Sequence, residues 1–410
     1  MSMNIFLIIA LAILIIVVLL RFKCPIGPAI LVGGAFIWLM QDPSLGALVQ
    51  AGSDMLHQPR TYDLLFALYF VMCLEIELRK SGTLMGMVDA FNRFFTSTKV
   101  TLATMPAFLG LLPSMGGARF SAPIVNEASK GMDISRESKA AINFWFRHVC
   151  EFASPIIPGM ILGCAIAHVS IADLVVHLFW MSVIAFAAGW FFMVRPLKFE
   201  DKRKKEPMPP TLFKRCIVNI VTAIAPVVVN VILMMAFDMS AAVAMGLVIV
   251  AMIPILYLMK RPVGIRDIFV GALDLRLFMN IICILYFIQL LDATGVLQAI
   301  IGAFEGSALP VPVIIACTSF VIGILTGMSQ GHVAIVMPIV AGLMPGSLDL
   351  VGVAMVFGVA GQMVTPTHVC LTITVDYFKS DFFKTLKPVV LAEIAVLTIF
   401  SVYTWLTWAA

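Results

Sequence analysis

Residues 112–159 read LPSMGGARFSAPIVNEASKGMDISRESKAAINFWFRHVCEFASPIIPG, a run of polar breaks inside a sequence that is otherwise oily. It holds a Gly-Gly pair, Arg119, Arg147, His148 and Glu151. An ionisable group at the centre of a bilayer costs about 2.5–3.5 kcal/mol on insertion scales. A chain that keeps several beside interrupted helices is expected to handle a polar solute.

The whole chain supports a membrane reading. Hydrophobic residues make up 61% of 410 and charged residues 12%, against about 25% charged in ordinary soluble domains. No polar stretch is long enough for a separate soluble domain, which excludes a soluble multidomain enzyme. The net charge of +4 belongs to loops facing a membrane and is no argument for nucleic acid. The eight cysteines fall in or beside apolar runs, without paired CxxC spacing, and read as small hydrophobes. The first apolar run is followed, not preceded, by its positive charges. It is expected to be a transmembrane helix with its N-terminus outside rather than a cleaved signal.

In chain order the expected helices are about 4–20, 26–40 and 62–78, with a polar loop at 41–61. Residues 83–95 form a short amphipathic segment at the interface. Between 100 and 130, a dozen apolar residues precede Pro113. They make about 18 Å of helix at 1.5 Å per residue, too short for a core of about 30 Å. A re-entrant hairpin with its tip at Ser114–Gly117 is expected. Helix four, about 137–167, is interrupted at Ser154-Pro155 and Pro158-Gly159, and helix five covers about 171–194. A basic linker, 195–215, leads to helices at about 216–237, 240–259 and 277–292, with a mixed segment at 261–276. A second amphipathic segment (295–304) and a second hairpin (311–344, broken at TGMSQGH) follow. Helix nine, about 348–378, is interrupted at Thr365-Pro366, and helix ten is about 386–408.

This gives an all-α polytopic membrane protein of about ten transmembrane helices plus two re-entrant hairpins. With the N-terminus outside, the inner segments carry 24 of the 27 Lys and Arg; the others are Arg60, Arg119 and Arg147. So strong a positive-inside bias fits both the topology and the non-crossing hairpins, and leaves both termini extracytoplasmic.

The two halves resemble each other. SGTLMGMVDAF (81–91) aligns without gaps to TGVLQAIIGAF (294–304), and the same offset of 213 sets AFLGLLPSMGG (107–117) on FVIGILTGMSQ (320–330). Residues 1–194 and 216–410 are therefore read as two repeats. Five crossings in each make the second inverted, so the hairpin tips approach the midplane from opposite faces.

Broken helices at membrane depth must be buried in protein or line a wet cavity. Half-helix N-termini present N–H groups to anions, and half-helix carbonyls suit Na⁺. Ser114, Ser154, Ser329, Thr365 and Thr367 offer hydroxyls, and Gly116, Gly117, Gly327 and Gly331 permit close backbone approach. Arg119 either forks onto a carboxylate or phosphate or pairs internally with Glu127 or Glu151. Arg147 either holds solute or pairs with Glu151 at i, i+4, leaving Glu151 otherwise to carry a coupling Na⁺ or proton. His148 shares a helical face with Glu151. His332 and His368 in the second repeat are proton or solute contacts or packed polar groups, and Gln330 and Gln362 are amide ligand candidates. Glu393 reads as a scaffold contact.

The motifs LLPSMGGARFSAP, NFWFRHVCEFASPIIPG and TPTHVCL resemble the prokaryotic membrane family catalogued as domain of unknown function 401, across nearly the whole chain. The resemblance implies membership of the ion transporter superfamily, with the citrate, gluconate and divalent-anion:sodium symporters. It also implies a scaffold and a transport domain working by an elevator-like movement, a prokaryotic plasma (inner) membrane location, and a homodimer. The divalent-anion symporters carry Ser-Asn-Thr at both tips. Here the tips read Ser-Met-Gly-Gly and Gly-Met-Ser-Gln-Gly, so dicarboxylate specificity and individual cation ligands do not carry over.

The expected function is Na⁺- or H⁺-coupled transport of a small organic anion, with no other cofactor. The rivals are a Na⁺/H⁺ antiporter using Glu151 and the histidines, and a metal-ion permease with His148, Glu151, His332 and His368 as ligands, against which Arg147 argues. No HExxH motif or nucleophile–base pair points to an enzyme.

Overall fold

The computed structural model describes residues 5–95, 97–111, 117–199 and 208–407, with every side chain in them save those of Phe6, Asn92, Arg119, Phe120 and Glu305. Among the described residues all regular structure is helical. The first half runs α1 (Ile5–Arg21), α2 (Ile26–Gln41), α3 (Leu45–His57), α4 (Pro59–Lys80) and α5 (Thr83–Phe94). It continues with α6 (Thr98–Leu111), α7 (Ala118–Ala128), α8 (Arg136–His148), α9 (Pro158–Ala167) and α10 (Ile171–Gly189), the last extended by a π-helical turn, Trp190–Val194. The second half holds α11 (Pro210–Phe237), α12 (Ala241–Leu258), α13 (Ile265–Phe269), α14 (Leu275–Ala293) and α15 (Val296–Glu305). It ends with α16 (Val311–Thr326), α17 (Ser329–Leu343), α18 (Leu348–Met363), α19 (Val369–Phe378) and α20 (Phe382–Thr407).

Five of these are long and apolar enough to cross a bilayer: Ile171–Val194, Pro210–Phe237, Ala241–Leu258, Leu275–Ala293 and Phe382–Thr407. Seven of the others are apolar but only 10–17 residues long. Leu, Ile, Val and Phe side chains stay exposed along α10, α11, α12 and α20. A soluble protein would aggregate through such faces, so the molecule is a helical integral membrane protein.

One expected loop is a helix. Residues 41–61 were expected to be polar coil, but α3 occupies most of them. Ser44 caps it by accepting the Ala47 N–H at 3.2 Å. Ala47, Ala51 and Met55, spaced by four, are its buried stripe. The stripe packs on α14, where the Tyr286 hydroxyl donates to the Leu48 carbonyl at 3.0 Å. Small apolar residues kept this face hidden from a hydropathy reading.

The helices form two compact units. One comprises Met1–Phe66, Ile161–Ser170 and Leu273–Gln362; the other comprises Ala67–Met160, Ile171–Ala272 and Met363–Ala410. In the first, α2 lies between α1 and α14, and α16 packs on α17. In the second, α6, α7 and α8 pack on one another, and α19 packs on α7 and α8. Apart from a few residues at cut helix ends, the first unit holds α1–α3 and α9 with α14–α18. The second holds α4–α8 and α10 with α11–α13, α19 and α20. Each unit thus draws on both halves of the chain.

Local structure recurs at the sequence offset. Gly82 and Gly295, 213 apart, take the same left-handed conformation (φ 74° and 70°) and open α5 and α15. A Cβ there is strained, which is the reason for glycine at both.

Candidate functional site

The second unit gathers most of the residues singled out in the sequence. Chain chemistry sets the geometry. Ser135 caps α8 by accepting the Ser138 N–H at 3.1 Å, and α8 runs to His148. Beyond it Pro155 and Pro158 lack the N–H groups a continuing helix needs, and Pro155 turns Ser154 away from helical angles. Residues 149–157 are therefore turns, closed by Glu151 N–H to the His148 carbonyl (3.0 Å) and Ser154 N–H to the Cys150 carbonyl (3.0 Å). Across from them α18 stops at Met363, before Thr365-Pro366, and α19 starts after His368. Both expected interruptions are present.

The turn after α8 is fastened to the end of α6. The Ser154 hydroxyl donates to the Leu111 carbonyl at 3.0 Å, satisfying an orphan at a helix C-terminus. The Cys150 thiol lies 3.6 Å from the Ala107 carbonyl oxygen. One turn earlier, α6 meets α8 backbone to backbone: a Cβ on Gly110 would sit 1.8 Å from the Arg147 carbonyl oxygen. Only glycine fits there.

Arg147 is the central group. Its Nε and Nη1 are buried and have no hydrogen-bond partner among the described residues. Its guanidinium lies against Gly117, where a Cβ would be 3.0 Å from Nη2. Gly117 opens α7 at φ 43°, ψ −121°, angles a side chain would resist. The cation is thus held beside a half-helix N-terminus, where the dipole also favours an anion. Because α8 ends at His148, Arg147 and Glu151 are not a helical i, i+4 pair. The Glu151 carboxylate oxygen instead lies 3.9 Å from His148 Nε2.

His148 is fixed on both sides. Its Nδ1 sits 2.6 Å from the Phe144 carbonyl oxygen, so Nδ1 carries the hydrogen and Nε2 keeps its lone pair. That Nε2 faces His368 Nε2 at 3.1 Å. The two rings cross at 84° and Phe144 packs edge-on to His368. The Cys370 sulfur completes a cluster in which all three ligand-type atoms lie within 4.8 Å of one another. Asn143 Nδ2 donates to Thr374 Oγ1 at 3.1 Å, pinning α8 to α19 below the cluster. The Thr365 and Thr367 hydroxyls bond each other at 2.9 Å in the same turn. Glu393 is buried on α20, which packs on α8. Ser114 and Gly116 lie outside the described residues, and Arg119 is described only as backbone in the first turn of α7.

The other candidates belong to the first unit. Gly327 ends α16 in a left-handed conformation (φ 65°), and Ser329 and Gln330 begin α17. Gln330 lines a cavity of about 260 Å³ with Lys23, Arg276, Asn280 and Met328. His332 is fully buried against the glycine face of α18 at Gly358, and neither ring nitrogen has a partner among the described residues. Gln362 is buried at the end of α18.

Several residues that the structure brings to notice were not singled out in the sequence. Cys370, two positions after His368, was passed over as a small hydrophobe. Gly110 looked like one small residue in an apolar run. Glu77, fully buried on α4 with both carboxylate oxygens unpartnered among the described residues, sat at the foot of an ordinary helix.

A search of curated proteins returns no match. A family model described as "Protein of unknown function (DUF401)" matches residues 4–409, and over that span the chain belongs to this family.

Proposed function

We propose that the protein is a secondary active transporter that couples a Na⁺ or H⁺ gradient to movement of a small organic anion. The observation that carries the reading is Arg147, whose buried Nε and Nη1 have no partner among the described residues, at a helix break beside the N-terminus of α7. A buried cation with unspent donors is costly unless an anion completes it, and the planar fork suits a carboxylate. Glu151 is the nearby acid for the coupling ion, and Glu77 is a second buried acid for a proton.

The resemblance to the citrate, gluconate and divalent-anion:sodium symporters supports the same reading. It implies a scaffold and a transport domain with two hairpins, at α6–α7 and α16–α17, an elevator-type movement and a homodimer. Hydropathy, loop charge and the internal alignment support about ten crossings in an inverted repeat. The charge bias of the loops supports both termini outside, and the resemblance implies a prokaryotic plasma membrane.

The test is uptake by purified protein in liposomes, screening labelled mono- and dicarboxylates under imposed Na⁺ or proton gradients. Gradient-driven accumulation of one carboxylate, lost in Arg147→Met, is expected. Na⁺-for-H⁺ exchange with no anion present and unaffected by Arg147→Met would make the protein an antiporter instead.

A further inference from the structure

We propose that His148, His368 and Cys370 form a transition-metal site of the zinc class, with Glu151 as fourth ligand. It shares Glu151 with the anion reading but not the solute contact at Arg147, and its three remaining ligands have no role in that reading.

The geometry is already that of a ligand set. Two imidazole nitrogens held about 2.0–2.1 Å from a zinc ion at a tetrahedral angle lie about 3.3 Å apart. The two Nε2 atoms are separated by 3.1 Å, and the Cys370 sulfur joins them within 4.8 Å. The Glu151 oxygen, 3.9 Å from His148 Nε2, needs only a small side-chain rotation to close the fourth position. Both histidines are nearly buried, and their rings are locked by Phe144.

The hydrogen bond behind His148 argues in the same direction. Donation from Nδ1 to the Phe144 carbonyl fixes the tautomer and points the free lone pair of Nε2 into the cluster. Ligating histidines are oriented by just such an outer bond. Without an ion, the pair satisfies itself by His368 Nε2–H donating to His148 Nε2. With one, the His368 hydrogen moves to Nδ1 and the Cys370 thiol proton leaves to solvent. One thiolate and one carboxylate then neutralise a divalent cation.

Two imidazoles and a thiolate favour Zn²⁺, Co²⁺ or Ni²⁺ over Na⁺, Mg²⁺ or Ca²⁺. The ligands come from opposite sides of two chain breaks, so a bound ion would clamp the α8 turn to the start of α19. Arg147 does not oppose it, because its guanidinium turns toward Gly117 while His148, one residue on, faces α19. His332, in the other compact unit, is not part of the cluster.

The test is a Co²⁺ titration of the chelator-treated, tag-free full-length protein in detergent, without organic anions. One equivalent should give tetrahedral visible bands and a near-ultraviolet sulfur-to-cobalt band, both displaced by Zn²⁺. Cys370→Ser should abolish the sulfur band while visible bands persist. Loss of an outer partner alone costs about 10- to 100-fold in affinity, so His368→Gln should weaken binding by at least about 100-fold. Arg147→Met should bind Co²⁺ as the parent does, which separates this result from any failure of the anion reading. Absence of a sulfur band, or the same spectrum and affinity in Cys370→Ser and His368→Gln, overturns the site.

Discussion

Replacing Arg147 by methionine keeps much of the stem volume and removes the charge, and two accounts of Arg147 predict opposite signs. If the guanidinium waits for a solute, the ligand-free protein carries buried charged donors that no described residue satisfies. Each such group costs about 1–3 kcal/mol, so Arg147→Met should stabilise the empty protein by about that much. At about 2.1 cal/mol/K per residue, 410 residues give an unfolding entropy near 0.9 kcal/mol/K, so Tm should rise by about 1–3 °C. If Arg147 is instead one half of a structural ion pair, removing it strands the partner. That costs about 3–5 kcal/mol, or a fall of about 3–6 °C. Thermal scans of the purified protein in detergent, at one scan rate and free of organic anions, distinguish the two. A saturating substrate anion should raise the Tm of the parent and leave the variant unmoved. A variant that melts several degrees below the parent would refute the reasoning, and Arg147 would be scaffold.

Gly110→Ala places a methyl 1.8 Å from a backbone oxygen that cannot rotate away. A loss at or above the upper end of the usual 1–3 kcal/mol for overpacking is expected, read as a lower Tm. Gly302→Ala, with nothing within 4 Å, should gain up to about 1 kcal/mol as the control. Ser154→Ala removes the donor to the Leu111 carbonyl and should cost about 1 kcal/mol while weakening Na⁺ stimulation of uptake; unchanged Na⁺ dependence would remove Ser154 from the coupling set. The Glu137 carboxyl is held below its ordinary range by its own backbone N–H and that of Asp381, which lies 3.3 Å away. A depressed carboxylate stabilises above its unfolded pKa, about 4.3, and loses that contribution as pH falls through its folded value. Protection of the Asp381 amide, its exchange rate relative to the unstructured chain at the same pH, should therefore fall as pH drops through the folded Glu137 value, and Glu137→Gln should remove that fall.

The helix breaks were legible because proline and glycine act locally. Pro155, Pro158 and Pro366 each lack an N–H that a continuing helix needs, although Pro106 and Pro226 are carried inside α6 and α11, and the short runs around Gly117 and Gly327 followed from length alone. The meeting of His148 with His368 was not legible. Nothing in hydropathy says that the end of α8 faces the start of α19, 220 residues away. The place of Cys370 beside the two imidazoles was hidden for the same reason, since a thiol in an apolar run gives no sign of distant neighbours. Division into units drawing on both halves was equally invisible, since periodicity describes one helix and not its neighbour.

The two halves supply a control for whether the charges are structural. Gly110 and Gly323 are 213 residues apart, and each lets its helix touch the backbone of another: α6 on α8 at the Arg147 carbonyl, α16 on α18 at the Gly358 carbonyl, where a Cβ would be 2.3 Å away. The packing at the junction is therefore built twice. By that contact, and by Ser154-Pro155 against Thr365-Pro366, the offset beyond the first helix is 211, and Arg147, His148 and Glu151 fall on Gly358, Val359 and Gln362. The first unit makes this helix-on-helix contact with uncharged residues at those three positions, so the contact does not require the ionisable ones. Ionisable groups that this contact does not need agree with the proposed reading, in which Arg147 meets a solute from outside.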